Sequence, residues 1–160
     1  MATTANERVR RLRADAAAKA EETAQFLAGL TAEQAGMRTE IGWTVAATAA
    51  HLAFVTGFAP TQLKRMKRGK PIIPPNIAVN VMNFVTSRKE RAAPIEPSVA
   101  KIRANIATNM ALLEQWTDTE LDTRYPKLFF GATTYEEGLR YSFIGHFDEH
   151  LGQMRRALKT

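Results

Sequence analysis

The sequence predicts an all-α fold: a four-helix bundle with one additional short helix or irregular insert. Two observations carry this. Apolar residues recur at intervals of three and four in four separate segments, the spacing that gathers them on one face of a helix. Between those segments stand clusters of proline, glycine and polar residues, and no convincing strand with a partner is found. Helices that each carry one apolar stripe must bury it against one another, and a bundle does so with short connections.

From about Thr4 to Leu30 the chain is rich in Ala, Glu, Gln, Arg and Leu, which are good helix formers. Val9, Leu12, Ala16, Ala20, Ala24 and Leu27 mark one face, and Gly29 and Thr31 are stop signals. After a turn through AEQAGMRTEIG, a second helix opens near Trp43 and runs toward Gly69. Pro60 lies inside it. A proline removes one backbone hydrogen bond and crowds the preceding turn, which predicts a kink or break between Gly57 and Pro60. KPIIPPN, with three prolines in seven residues, reads as a linker. In NIAVNVMNFVTSRKER, Ile77, Val81, Phe84 and Val85 fit a helical face, which Pro94 and Pro97 bring to an end. Ser98 is then expected to cap a helix whose face is Ile102, Ile106, Met110, Leu113 and Trp116. TDTELDTRYPKLFFG reads as an irregular crossover with an apolar tip at Leu128, Phe129 and Phe130, placed to cover a pocket or to meet a second copy in a homodimer. Thr133 with Glu136, or Thr134 with Glu137, supplies a capping box for the final helix. The face of that helix carries Leu139, Phe143, His146, His150, Met154 and Leu158.

At 160 residues and 45% hydrophobic, the chain fits a single domain spanning residues 1–160. There is no cysteine, so the chain itself supplies no disulfide, no thiolate ligand and no cysteine nucleophile. Thiol chemistry would have to come from a bound small molecule. The stretch MATTANERVRRLRADAAAK is neither a secretory signal nor a membrane span, which predicts a cytoplasmic protein without a membrane partner. A formal charge of +6 raises the question of nucleic acid. Yet the KRMKRGK cluster and the closing Arg155, Arg156 and Lys159 sit at predicted helix C-termini, where cations offset the backbone dipole. No aromatic residues interleave the basic ones as a single-strand surface requires, so nucleic acid is not the favoured partner. A basic rim for an anionic substrate or cofactor remains compatible with this distribution.

The residues that carry chemistry are the three histidines, His51, His146 and His150. His146 and His150 stand four apart, so their rings leave one helix face about 40° apart in direction and about 6 Å apart in height. That face is otherwise apolar, and a buried imidazole costs free energy unless it finds a partner. A metal ion satisfies both rings at once. His51 lies on a helix face with Phe54, Val55 and Phe58, and facing helices of a bundle can bring such groups together. Three histidines suffice for a divalent metal with an open position for water or a thiol; zinc is the first expectation, with nickel and iron also accepting imidazole. HFDEH matches the letters H-x-x-E-H by accident, since a peptidase of that type needs a further ligand well downstream; Asp148 and Glu149 are expected in solvent. Gln153, one turn after His150, can orient a ligand or substrate; Trp43 can line a pocket; Tyr141, with Tyr135 and Arg140, can edge its mouth. Thr48 is expected to bond its own helix backbone.

GWTVAATAAHL, with Trp eight residues before His and Leu directly after it, together with the late HFDEHLGQM, resembles the DinB-like superfamily of metal-binding four-helix bundles. LAGLTAEQAGMRTEIGWTVAATAAHL is similar to its relatives, the metal-binding domains of mycothiol-dependent maleylpyruvate isomerases. The resemblance runs nearly end to end in helix order and length, and the two histidine segments are its specific part. It implies a divalent metal held by His51, His146 and His150, with water completing the site. In the isomerase group one ligand of the last helix is usually a carboxylate, whereas both are histidines here, which favours the general DinB-like pattern. Members with known activity are commonly thiol-dependent S-transferases or isomerases. The resemblance thus implies a metal-dependent enzyme working on a small molecule with a low-molecular-weight thiol, or a hydrolase. Against this stands a bundle that binds metal or a small ligand without turnover, because no general base is evident beside the ligands.

Overall fold

The computed structural model describes residues 6–70, 83, 85, 87, 88, 91–124 and 132–159. Among these residues all regular structure is helical, with two isolated antiparallel bridges, Arg38 with Thr44 and Arg124 with Thr134.

Helix α1 (Glu7–Ala28) buries every residue predicted for its face: Val9, Leu12, Ala16, Ala20, Ala24 and Leu27. Its first N–H groups are not capped by Asn6. Asp118, distant in sequence, accepts from the backbone N–H of Arg8 at 3.2 Å and of Val9 at 3.0 Å, which answers donors that a helix start leaves unpaired. Gly29 ends α1, and Thr31 with Gln34 forms the capping box of the short α2 (Ala32–Gly36). The chain then doubles back tightly. Thr39 N–H donates to Trp43 O at 2.8 Å, Gly42 N–H to Thr39 O at 2.9 Å, and Gly42 adopts φ +82°, a conformation open to glycine. This turn delivers Trp43 to the head of α3 (Val45–Lys67), whose N-cap Thr44 accepts from Ala47 N–H.

Of the kink or break expected between Gly57 and Pro60, the break is not there: α3 runs through Pro60. A proline at position 60 leaves the carbonyl of Thr56 without its i+4 donor, and the neighbouring helix provides one. Asn109 Nδ2 donates to Thr56 O at 2.9 Å, while Asn105 Nδ2 donates to Ala53 O at 2.9 Å. Both asparagines belong to α4 (Glu96–Leu113). An added Cβ at Gly57 would stand 3.1 Å from Asn105 Nδ2, so the missing side chain lets the amide approach.

Between α3 and α4, residues 83, 85, 87 and 88 are helical, as predicted for that stretch, but Val85 is 51% exposed and so does not lie on a buried face. Ile77, Val81 and Phe84, the linker beyond Lys70, and the tip at Leu128, Phe129 and Phe130 lie outside the described residues. Helix α4 opens one turn earlier than predicted. Pro97 occupies its first turn, where a missing N–H costs nothing, and Ser98 is a buried residue inside the helix instead of its cap. Ile102, Ile106, Met110 and Leu113 are buried as expected; Trp116 is buried just past the helix end, its ring 5.8 Å from that of Tyr135. Among its described residues the crossover holds one short helix, α5 (Asp118–Leu121), with a Thr117–Glu120 capping box.

Thr134 and Glu137 form the capping box of α6 (Tyr135–Arg140). The chain continues through a π-helical turn, Tyr141–Gly145, into α7 (His146–Leu158). The last helix is therefore not the regular α-helix that the sequence predicts. Helix α3 packs against α4, α4 against α1, and α1 against the π turn and α7; α7 closes on α3 along the least extensively packed of the four seams. Leu12, Leu52, Ile102, Leu113, Phe147 and Met154 are fully buried at the centre, and Leu158 is half-buried at the end of its stripe. At the surface, Arg8 pairs with Asp122 and Glu136, Arg13 with Glu114, Arg155 with Glu22 and Arg156 with Glu40, so much of the basic charge at the start of α1 and the end of α7 is compensated within the chain.

Candidate metal centre

The three histidines meet at the α3–α7 seam. His51 comes from the second turn of α3, and His146 and His150 from the first turn and a half of α7. His51 Nε2 lies 3.2 Å from His146 Nε2, and His150 Nε2 lies 2.8 Å from the same atom. One ligand nitrogen from each residue falls within 4.8 Å of the others, a cluster that can hold a metal ion. With metal–nitrogen bonds of about 2.0–2.1 Å, two imidazoles on one ion stand about 2.9 Å apart at a right angle and about 3.3 Å apart at the tetrahedral angle. The two separations observed fall at or close to that range.

Proton counting leads to the same place. A neutral imidazole carries one N–H, so two facing ring nitrogens share at most one hydrogen bond unless both carry protons and repel. His150 Nδ1 is 2.8 Å from Gln153 Oε1, an atom that can only accept, which puts the His150 proton on Nδ1 and leaves Nε2 bare. A proton on His146 Nε2 could serve one of its two neighbours and not the other. A cation at the convergence answers all three.

The electrostatics keep these rings neutral. Burial, then the neighbouring His146 and His150, pushes the His51 pKa down from 6.5 to about 3. Burial, then His150, takes His146 down to about 4. His150 is also lowered by burial, against the opposing pull of the Gln153 hydrogen bond and the Glu149 charge. Neutral imidazole is the form a metal requires.

Trp43 walls the site: its ring is 5.2 Å from that of His51, edge-on, and 6.3 Å from that of His150, stacked. Tyr141 stacks on His146 at 6.1 Å, and its hydroxyl donates to Glu149 Oε2 at 3.1 Å. Partial burial, then Glu149, pushes the Tyr141 pKa up to about 12. Glu149 is exposed as expected, yet engaged; Asp148 is exposed and pairs with Lys19. Thr48 bonds the backbone of Thr44 in its own helix. Tyr135 and Arg140 do not edge the site: the first is buried with its hydroxyl on Met66 O, and the second pairs with Glu136 and Asp15.

The π turn is the feature that the sequence reading missed. His146 N–H donates to Tyr141 O, five residues back. At Gly145 an added Cβ would stand 3.2 Å from Tyr141 Cδ2, so this glycine makes room for the ring that stacks on His146. A signal existed. Tyr135, Leu139, Phe143, Phe147 and Leu151 are all buried and stand at strict steps of four. On an uninterrupted α-helix four such steps drift about 160°, too far for one face; a wider turn between Leu139 and Phe147 takes up part of that drift.

Fold and cluster together define a class: an all-α bundle with three converging histidines able to hold a metal ion between an early helix and the last one. The family model described as DinB superfamily matches residues 16–154. This chain belongs to the DinB superfamily. No curated protein and no solved structure gives a significant match to it.

Proposed function

We propose that this single-domain chain is a metal-dependent enzyme, with His51, His146 and His150 as ligands and a small molecule as substrate. The reaction we favour is an S-transfer or isomerisation with a low-molecular-weight thiol, with hydrolysis as the other chemistry open to such a site. The observation that carries this reading is the convergence of three neutral Nε2 atoms, at 2.8 and 3.2 Å, with His51 and His150 buried and His146 half-buried. A zinc, nickel or iron ion bound there would supply Lewis acidity and would acidify a water or thiol at its open position.

The chain's own residues do the rest. The three imidazoles bring no charge, so the full positive charge of an ion would be available to a substrate. Trp43 and Tyr141 flank the ligand rings. With no cysteine in the chain, a thiol must arrive as a separate molecule. A non-catalytic binder is the second reading, favoured by one contact: Tyr141 and Glu149, ionisable groups beside the cluster, are bonded to each other. Metal analysis of the purified parent, His51→Ala and His146→Ala tests the site, since equal metal content in all three would remove it. Turnover assays with bacterial thiols and electrophiles then separate enzyme from binder: a metal-loaded protein inert to all of them favours the binder.

A further inference from the structure

We propose that Gln153 is the positioning residue that fixes the tautomer of His150 and so keeps its Nε2 lone pair turned into the cluster; the inference rests on the metal-site reading above. Gln153 stands three residues after His150 on α7, where helix geometry makes the two side chains neighbours. It is only 6% exposed. A long polar side chain is seldom buried to that degree without a partner that requires it. Its partner is the outer nitrogen of the ring: Oε1 lies 2.8 Å from His150 Nδ1. The inner nitrogen of the same ring lies 2.8 Å from His146 Nε2.

These two contacts are coupled through one proton. While the amide oxygen accepts from Nδ1–H, Nε2 has a free lone pair and can ligate. Were the amide turned to present its N–H₂ to a bare Nδ1, the ring proton would move to Nε2, point at His146 and close the site to a cation. Gln153 thus acts on the metal through the ring, by holding its orientation and its protonation pattern. Outer partners of ligating histidines commonly change metal affinity in this way.

The test uses the full chain with ¹⁵N-labelled histidine, and two variants: Gln153→Leu, which removes the acceptor, and Gln153→Glu, which keeps it. Long-range ¹H–¹⁵N spectra of the metal-free protein should show His150 as the Nδ1–H tautomer in the parent and in Gln153→Glu, and as a mixture in Gln153→Leu. Zinc affinity, measured by chelator competition, should fall about 10- to 100-fold in Gln153→Leu and stay within about threefold of the parent, or tighten, in Gln153→Glu. An Nε2–H tautomer at His150 in the parent overturns the proposal, as does a folded Gln153→Leu that binds zinc as tightly as the parent. If Gln153→Leu does not fold, the parent and Gln153→Glu spectra still decide it. A parent that binds no zinc but shows the Nδ1–H tautomer, lost in Gln153→Leu, would sink the metal reading and leave the role of Gln153 standing.

Discussion

Mild acid should destabilise the metal-free protein through its three histidines. The chain has no cysteine and only these histidines. The perturbed carboxylates, Glu21, Glu40 and Glu136 among them, are lowered and so titrate below the histidine window. The sign follows from the direction of the histidine shifts. Burial lowers the folded-state pKa of His51 to about 3 and of His146 to about 4, against 6.5 unfolded, so below 6.5 the unfolded chain takes up protons that the folded chain refuses. Their contribution is fully present above pH 6.5 and is lost as the pH falls from there toward the folded values. Between about pH 7.5 and about pH 5.5 each such histidine contributes a loss of about 1.4 kcal/mol. His51 and His146 together give about 3 kcal/mol, and His150, lowered by burial, acts in the same direction. In a chain of this size that is a fall in Tm of roughly 10 °C. Urea unfolding at both pH values, with chelator present, should show this loss in the parent and less than about 1 kcal/mol of it in a variant with all three histidines changed to Gln. An equal loss in parent and variant, or a loss below about 1 kcal/mol in the parent, would refute the claim that folding buries these rings uncharged.

Other consequences are open to direct measurement. Cobalt or nickel bound at the histidines should quench the fluorescence of Trp43, whose ring lies 5.2 and 6.3 Å from two of them, and Trp43→Phe should abolish the quench while Trp116 still emits. Asn109→Leu leaves the Thr56 carbonyl buried without a donor and should cost about 1–3 kcal/mol. In a Pro60→Ala background the restored backbone N–H can take over that bond, so the cost should shrink; a double-mutant cycle with no coupling would contradict this account of how α3 passes its proline. Asp118→Ala removes the acceptor for the Arg8 and Val9 N–H groups and should lower stability by about 1 kcal/mol, read from chemical denaturation.

Much of the bundle was legible because helix periodicity is a local property. The faces of α1 and α4 could be read residue by residue, and so could the capping-box candidates before α6. What was not legible depends on partners distant in sequence. The passage of α3 through Pro60 depends on Asn109, and the start of α1 on Asp118; neither contact leaves a mark near the residue it serves. Ser98 was misread because the cap preference of serine is a tendency, and Pro97 fixes the first turn by geometry. The pairing of His146 with His150 could be read from their spacing, since both lie within regular α7 after the π turn has ended. Their meeting with His51 is a tertiary fact that spacing cannot supply, and the resemblance to a family stood in for it. The placement of Trp43 against two of the rings had its sequence mark in the Gly42 turn, and its consequence only in the folded chain.

The location of the cluster also follows from packing. The seam between α3 and α7 is the least extensively packed of the four. His51 stands on it with Ala47, one turn before on the same face of α3, and an alanine gives little apolar area with which to hold a partner helix. Imidazole rings occupy that space instead, and without an ion they must be held there neutral, close together and short of hydrogens. Such an arrangement is costly as a hydrophobic contact and favourable as a ligand set. The same three rings that weaken the seam in acid are therefore the ones that an ion would draw together, tying the second turn of α3 to the start of α7, so that stability and metal binding at this seam are governed by one set of residues.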